Sequence, residues 1–167
     1  NLCNISNNKR KIKEYCESLE YGFKALKVGT EIKSNYNQGF CNQSIGETYY
    51  RLALDSTTKI SCKHFKQGVV ANLQVASVYL KEAVIFYGKL NDLQALSETS
   101  LLLSETYEAL GETKKALSYY KQYTSNKDSV FSIEKSKMIT SIENKFEIEI
   151  REKQIKIKYD NGYSFPY

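Results

Sequence analysis

The chain has no tryptophan, one proline, one histidine and one methionine in 167 residues. The proline is Pro166, so nothing before it carries the strongest helix breaker, and long helices are permitted throughout. His64 is the only histidine, and Cys3, Cys16, Cys41 and Cys62 form no Cys-x-x-Cys pair. That is poor raw material for a zinc site, and no metal or other cofactor is expected. Clustered cations are missing as well. The net charge of +5 comes from lysines and arginines interleaved with glutamates, so direct nucleic-acid binding by this segment is not expected. No apolar run is read as approaching the roughly 18 residues of a membrane-spanning helix, so a membrane link is expected only through a segment outside this sequence. No signal peptide is read, and the start at Asn1 suggests a fragment or a processed form.

The ingredients of catalysis are also sparse. Gly22, Gly29, Gly39 and Gly46 do not form a phosphate-cradling loop. His64 stands beside Lys63 and Cys62, but adjacent loop residues are not oriented toward each other and no oxyanion donors can be named. Glu98, Glu105 and Glu108 read as a solvated helix face rather than an acid/base pair. The chain is therefore not expected to be an enzyme. Cys16 and Cys41 are expected as small buried hydrophobes. Export would leave a disulfide open, with a connectivity that spacing does not give.

What is present is helical periodicity. Hydrophobic content of 41% and charged content of 26% are ordinary for a globular chain, and the 14 tyrosines suit half-buried helix faces. From Lys9 to Ile32 the positions Ile12, Tyr15, Cys16, Leu19, Phe23 and Leu26 recur at three and four, which predicts one helix. A second is expected from about Tyr36 to Leu54, and "DSTTKISCKHFKQG" then reads as a long loop. Val69 to Leu90 is a third helix, with Ala71, Ala76 and Ala83 as small sites. Asp92 is placed to cap a fourth, Leu93 to Leu110, and Gly111 suits its C-terminal turn. A fifth is expected from Thr113 to Tyr123, a break at "TSNKDS", and a last helix from Val130 to about Lys158. Within that last stretch "FEIEI" and "IKIKY" alternate with period two, the mark of a strand. Ile139, Ile142, Phe146, Ile150 and Ile157 keep a helical stripe, and the joint "REKQ" has no turn residue. The helix is the favoured reading.

"LLLSETYEALGETKKALSYYKQY" resembles a tetratricopeptide repeat. Tyr107, Gly111, Ala116 and Tyr120 fall on that pattern in register, and Ser104 takes its usual small-residue place. Ile45-Gly46-Glu47-Thr48-Tyr49 is similar to the first half of the same motif. "SLEYGFKALKVGTEIKSN" and "SVYLKEAVIFYGKLND" are similar to its second helix and exit turn. The resemblance implies an all-α solenoid of stacked helical hairpins over residues 1–125, a charged C-terminal helix over 126–160 and a tail over 161–167. It also implies that Ala116 and Tyr120 pack against neighbouring helices.

The stretch from Tyr120 onward is similar to the ends of tetratricopeptide sensor regions in Bacteroidetes-type signalling proteins. The function so implied is a non-enzymatic sensor segment that binds a protein or peptide and shifts the angle of its terminal helix. The alternative is a free-standing adaptor or scaffold that assembles protein partners. The sensor reading implies the periplasmic side of the inner membrane, and the adaptor reading the cytoplasm. The family's inward-facing positions carry over to Phe40, Gln43, Glu47, Tyr50 and Arg51 on one helix, and to Glu98, Leu101, Glu105 and Glu108 on another. A polar or basic peptide is the expected ligand of that face. The helical stripe of the tail is expected to pair with a second copy or to pack on the last repeat.

Overall fold

The computed structural model describes residues 2–55, 63–64 and 68–162, with side chains placed as far as residue 159. These residues form α1 (Leu2–Lys11), α2 (Tyr15–Glu31), α3 (Asn35–Leu54), α4 (Val69–Leu90), α5 (Leu93–Ala109) and α6 (Thr113–Gly162), and no strand occurs among them. The chain is all-α. It divides into one unit over residues 1–127 and a second over 128–167.

Four of the connections are one turn used repeatedly. After α1, the Glu14 amide donates to the Lys9 carbonyl at 2.9 Å and the Lys13 amide to Arg10 at 3.0 Å. The same pair of bonds follows α2 (Ser34 to Gly29, Lys33 to Thr30), α4 (Asp92 to Tyr87, Asn91 to Gly88) and α5 (Glu112 to Tyr107, Gly111 to Glu108). The pivots Lys13, Lys33, Asn91 and Gly111 all have positive φ, between 52° and 73°. This left-handed residue lets the last carbonyls of a helix find amide partners while the chain reverses. Asp92 then caps α5 by accepting from the Ala95 amide at 3.0 Å, as expected. Most of the expected loop between Asp55 and Gly68 lies outside the described residues.

The core of the first unit is built around α3. Ile45, Tyr49 and Leu52 of α3 meet Leu19 of α2, Leu73, Ala76 and Leu80 of α4, and Leu103 and Tyr107 of α5. Ala116 of α6 joins the same cluster. Where α1, α2 and α3 meet, a small apolar cluster of Cys3, Ala25 and Cys41, flanked by Leu2, Leu26 and Phe40, lies beside a polar contact. The buried Ser6 hydroxyl donates to the Ser18 carbonyl at 2.8 Å, and the Ser18 and Thr48 hydroxyls are 2.9 Å apart. Satisfied hydroxyls of this size let helices approach closely without leaving orphaned polar groups. Cys3 of α1 and Cys41 of α3 are joined by a buried disulfide with Cα atoms 6.0 Å apart.

Several expectations need correction. The single helix over Lys9–Ile32 is two, because Lys13 turns the chain in a left-handed conformation that no lysine advertises. Cys41 is disulfide-bonded rather than a plain buried hydrophobe, and Cys16 is only partly buried. The break at "TSNKDS" does not exist, since α6 runs on from Thr113 to Gly162. Ser, Asn and Asp weaken a helix by less than about 1 kcal/mol each, and the stretch contains no glycine or proline to stop it. The helix favoured over a hairpin for the period-two run at 146–159 is the one found, with Arg151 and Glu147 one turn apart at 3.6 Å. α4 is long and apolar enough to cross a membrane, against the expectation that no run qualifies. Its apolarity serves the core, where Leu73, Ala76, Leu80, Ala83 and Tyr87 are buried. In the second unit every residue from 131 to 159 is exposed, including Phe131, Ile142 and Phe146.

Tyr120 also departs from its expected place. It is 49% exposed, while its neighbour Tyr119 stacks on Tyr107 with centroids 5.6 Å apart. Ala116 is buried at the α5–α6 contact, where its carbonyl accepts from the Ser104 hydroxyl at 2.9 Å. Ala116→Leu is therefore expected to cost about 1–3 kcal/mol by overpacking. Tyr120→Ala is expected to cost less than about 1 kcal/mol, as for other half-exposed positions. Chemical denaturation of both variants checks this, and equal losses would contradict the packing of α6.

Candidate functional site

α1 packs beside α3 and α3 beside α5, and these three helices share a face of the first unit. Its centre is Glu47. One carboxylate oxygen lies 2.8 Å from the Arg10 guanidinium of α1 and the other 3.6 Å from Arg51. The Arg10 side chain is 11% exposed and that of Glu47 is 23% exposed, so this pair is largely shielded from water. Arg10 also donates to Asn7 Oδ1 at 2.8 Å, and Asn7 accepts from the Ser44 hydroxyl at 2.6 Å. Burial pushes the Arg10 guanidinium down from its ordinary value, while Glu47 opposes that shift. A guanidinium remains charged under either influence.

One turn along α3, Tyr50 lies within electrostatic range of Glu105 on α5 and, more weakly, of Glu108. Burial first, and then these two carboxylates, hold the Tyr50 phenol above its usual value. The Arg51 guanidinium sits 5.5 Å from the centre of the Tyr50 ring. Five of the nine expected residues, Glu47, Tyr50, Arg51, Glu105 and Glu108, are thus brought together.

The other four are arranged differently. Gln43 Oε1 accepts from the Tyr87 hydroxyl of α4 at 2.7 Å. Burial, followed by Tyr36, Asp92 and Glu98, pushes the Tyr87 phenol up. Gln43 and Glu98 therefore gather around Tyr87, and Glu98 also accepts from Gln94 at 2.6 Å. Phe40 stacks with Tyr36 and packs against the disulfide region. Leu101 is partly buried on α5, three residues after Glu98 and four before Glu105.

Sequence reading misses Arg10 and Asn7. Their helix is strongly polar in composition, and its buried residues are only Cys3 and Ser6. His64, expected in an irregular stretch, lies tilted against the Phe23 ring with centroids 4.9 Å apart, and its carbonyl accepts from the Tyr49 hydroxyl at 2.9 Å. Cys62 lies outside the described residues. No group of three or more His, Cys, Asp or Glu that could hold a metal ion occurs among the described residues. What the α1–α3–α5 face offers is fixed charge and hydrogen bonding. Glu47 is internally neutralised by two arginines. Glu105 and Glu108 carry negative charge with no ion pair to them among the described residues. No protein-family model matches the chain, and no curated protein matches it in sequence.

Proposed function

We propose that the chain is a tetratricopeptide-type stack that binds a basic protein segment on the face shared by α1, α3 and α5, as the sensing part of a signalling protein. The observation that carries this reading is the Tyr50–Glu105–Glu108 group beside an already neutralised Glu47. A lysine or arginine side chain of a partner would meet two carboxylates there beside the Tyr50 phenol. Charge-assisted hydrogen bonds of this kind are stronger than neutral ones. The hairpin reading draws support from the four repeated turns and from the contacts of α3 with both α1 and α5. Helices that stack in this way bury a continuous core and leave one helix of each hairpin on a shared face.

The Cys3–Cys41 disulfide favours an oxidising compartment, such as the periplasm, over the cytoplasm. α6 belongs both to the last hairpin and to the second unit, so it is the element through which occupancy would be passed on. In the same proposal the exposed stripe of Ile139, Ile142, Phe146 and Ile150 pairs with a second copy.

The test is calorimetric titration of the full chain with a Lys/Arg-rich peptide. Saturable binding is expected, with a loss of at least tenfold in the Glu105→Lys/Glu108→Lys double variant and unchanged helicity by circular dichroism. Equal affinity in that variant would place the partner elsewhere.

A further inference from the structure

The last hairpin ends on a face that the preceding hairpin keeps covered. Ala116, Leu117 and Tyr120 of α6 have the same relative spacing as Ala83, Val84 and Tyr87 of α4. In α4 this triplet is closed by the next helix together with α3, where the Tyr87 ring lies against Gly39 and its hydroxyl donates to Gln43. Ala83 and Tyr87 cluster with Leu96 of α5, with Val84, Leu93 and Ala95 packed around them, and Tyr87 is only 2% exposed. In α6, Ala116 is buried against α5, but Leu117 is 54% and Tyr120 is 49% exposed. Stacked-hairpin proteins usually present a polar outer face at their ends. Here that position carries a leucine and a tyrosine.

The charge around this face selects the occupant. From Thr113 to Lys127, α6 contains Lys114, Lys115, Lys121 and Lys127 and no acidic residue. Lys115 is paired with Glu112, whereas Lys114 and Lys121 form no ion pair among the described residues. On a helical wheel Lys114 and Lys121 fall beside Leu117 on the flank away from Tyr119, the tyrosine that packs on α5. A second copy docking through the same face would bring lysine against lysine. The helix that covers the equivalent triplet one hairpin earlier is α5, which contains Glu98, Glu105 and Glu108 and no lysine or arginine.

We infer that the outer face of α6 at Leu117 and Tyr120 is a second docking surface, and that it takes an acidic amphipathic helix of another protein. Its apolar stripe covers Leu117 and Tyr120 as Leu93 and Leu96 cover Val84 and Tyr87, and its carboxylates meet Lys114 and Lys121. This surface is separate from the α1–α3–α5 face and takes a ligand of opposite charge.

The probe is a fluorescein-labelled peptide with the sequence of residues 92–110, the chain's own acidic covering helix, titrated with the full chain and read by anisotropy. Saturable binding is expected. It should weaken at least tenfold with Leu117→Asp and with Lys114→Glu/Lys121→Glu, and remain unchanged with Glu105→Lys/Glu108→Lys. A peptide with its three glutamates replaced by lysine should not bind. Leu117 is exposed enough for its substitution to leave the fold intact, which circular dichroism of the variant checks. Absence of binding, equal binding by Leu117→Asp, or equal binding of the lysine peptide would overturn the inference. So would sedimentation showing a dimer of the chain that Leu117→Asp abolishes, because the occupant would then be a second copy.

Discussion

Gly46→Val is expected to destabilise the chain by about 3–5 kcal/mol, the upper range for overpacking in a close helix contact. A Cβ placed on Gly46 would lie 2.7 Å from Leu80 Cγ and 3.1 Å from the Ala76 carbonyl oxygen. The leucine could turn aside, but the carbonyl belongs to the backbone of α4 and moves only with the helix. Replacing glycine inside a helix gains propensity, about 1 kcal/mol at most for alanine and less for a β-branched residue. The clash outweighs that gain. Gly88 supplies the control. It lies in α4 with nothing within 4 Å of a built Cβ, so Gly88→Ala should be neutral or stabilising by up to about 1 kcal/mol. Urea denaturation of the two variants separates close packing from helix propensity. A Gly46→Val protein as stable as the parent would mean that α3 and α4 do not meet at this point.

Opening the Cys3–Cys41 disulfide is the second large effect. The bridge spans a sequence separation of 38 residues. By the chain-entropy relation, closing a loop of that size in the unfolded chain is worth about 4 kcal/mol. Cys3→Ser/Cys41→Ser should therefore lower stability by about 3–4 kcal/mol, and the melting temperature by about 10–15 °C for a domain of this size. The loss should be largest at α1, whose other polar ties to α3 are the contacts of Ser6, Asn7 and Arg10 with Ser44 and the Arg10–Glu47 pair. Differential scanning calorimetry with and without reductant gives the first quantity, and hydrogen exchange of residues 2–11 gives the second. A reduced protein that melts with the oxidised one would contradict the bridge.

The helices that can be read in the sequence are those whose ends carry chemistry. The boundary between α4 and α5 and the end of α5 are legible because Asp92 and Gly111 are a cap and a left-handed turn residue that sequence displays. α1 is invisible for the opposite reason. Its buried residues are Cys3 and Ser6, so a disulfide and hydroxyl bonds hold it beside only a small apolar contact of Leu2 and Cys3. Lys13 and Lys33 take the same turn as Gly111 without the residue type that announces it. The expected break in α6 fails because turn-prone composition is only a small bias when nothing forbids the helix.

At the candidate site, the positions on α3 and α5 come from the resemblance alone. Their internal neutralisation is not legible, because Arg10 belongs to the helix that cannot be seen. Tyr119 and Tyr120 differ by one residue, about 100° around the helix, and only the packed structure distinguishes the buried ring from the open one.

A basic segment is proposed to dock on the α1–α3–α5 face. The most direct measurement is a nuclear magnetic resonance titration of the labelled chain with a Lys/Arg-rich peptide, following backbone amides. The expected result is a set of saturable shifts concentrated at residues 47–51 and 101–108, absent from Glu105→Lys/Glu108→Lys. Shifts confined to α6, or none at millimolar peptide, would contradict it.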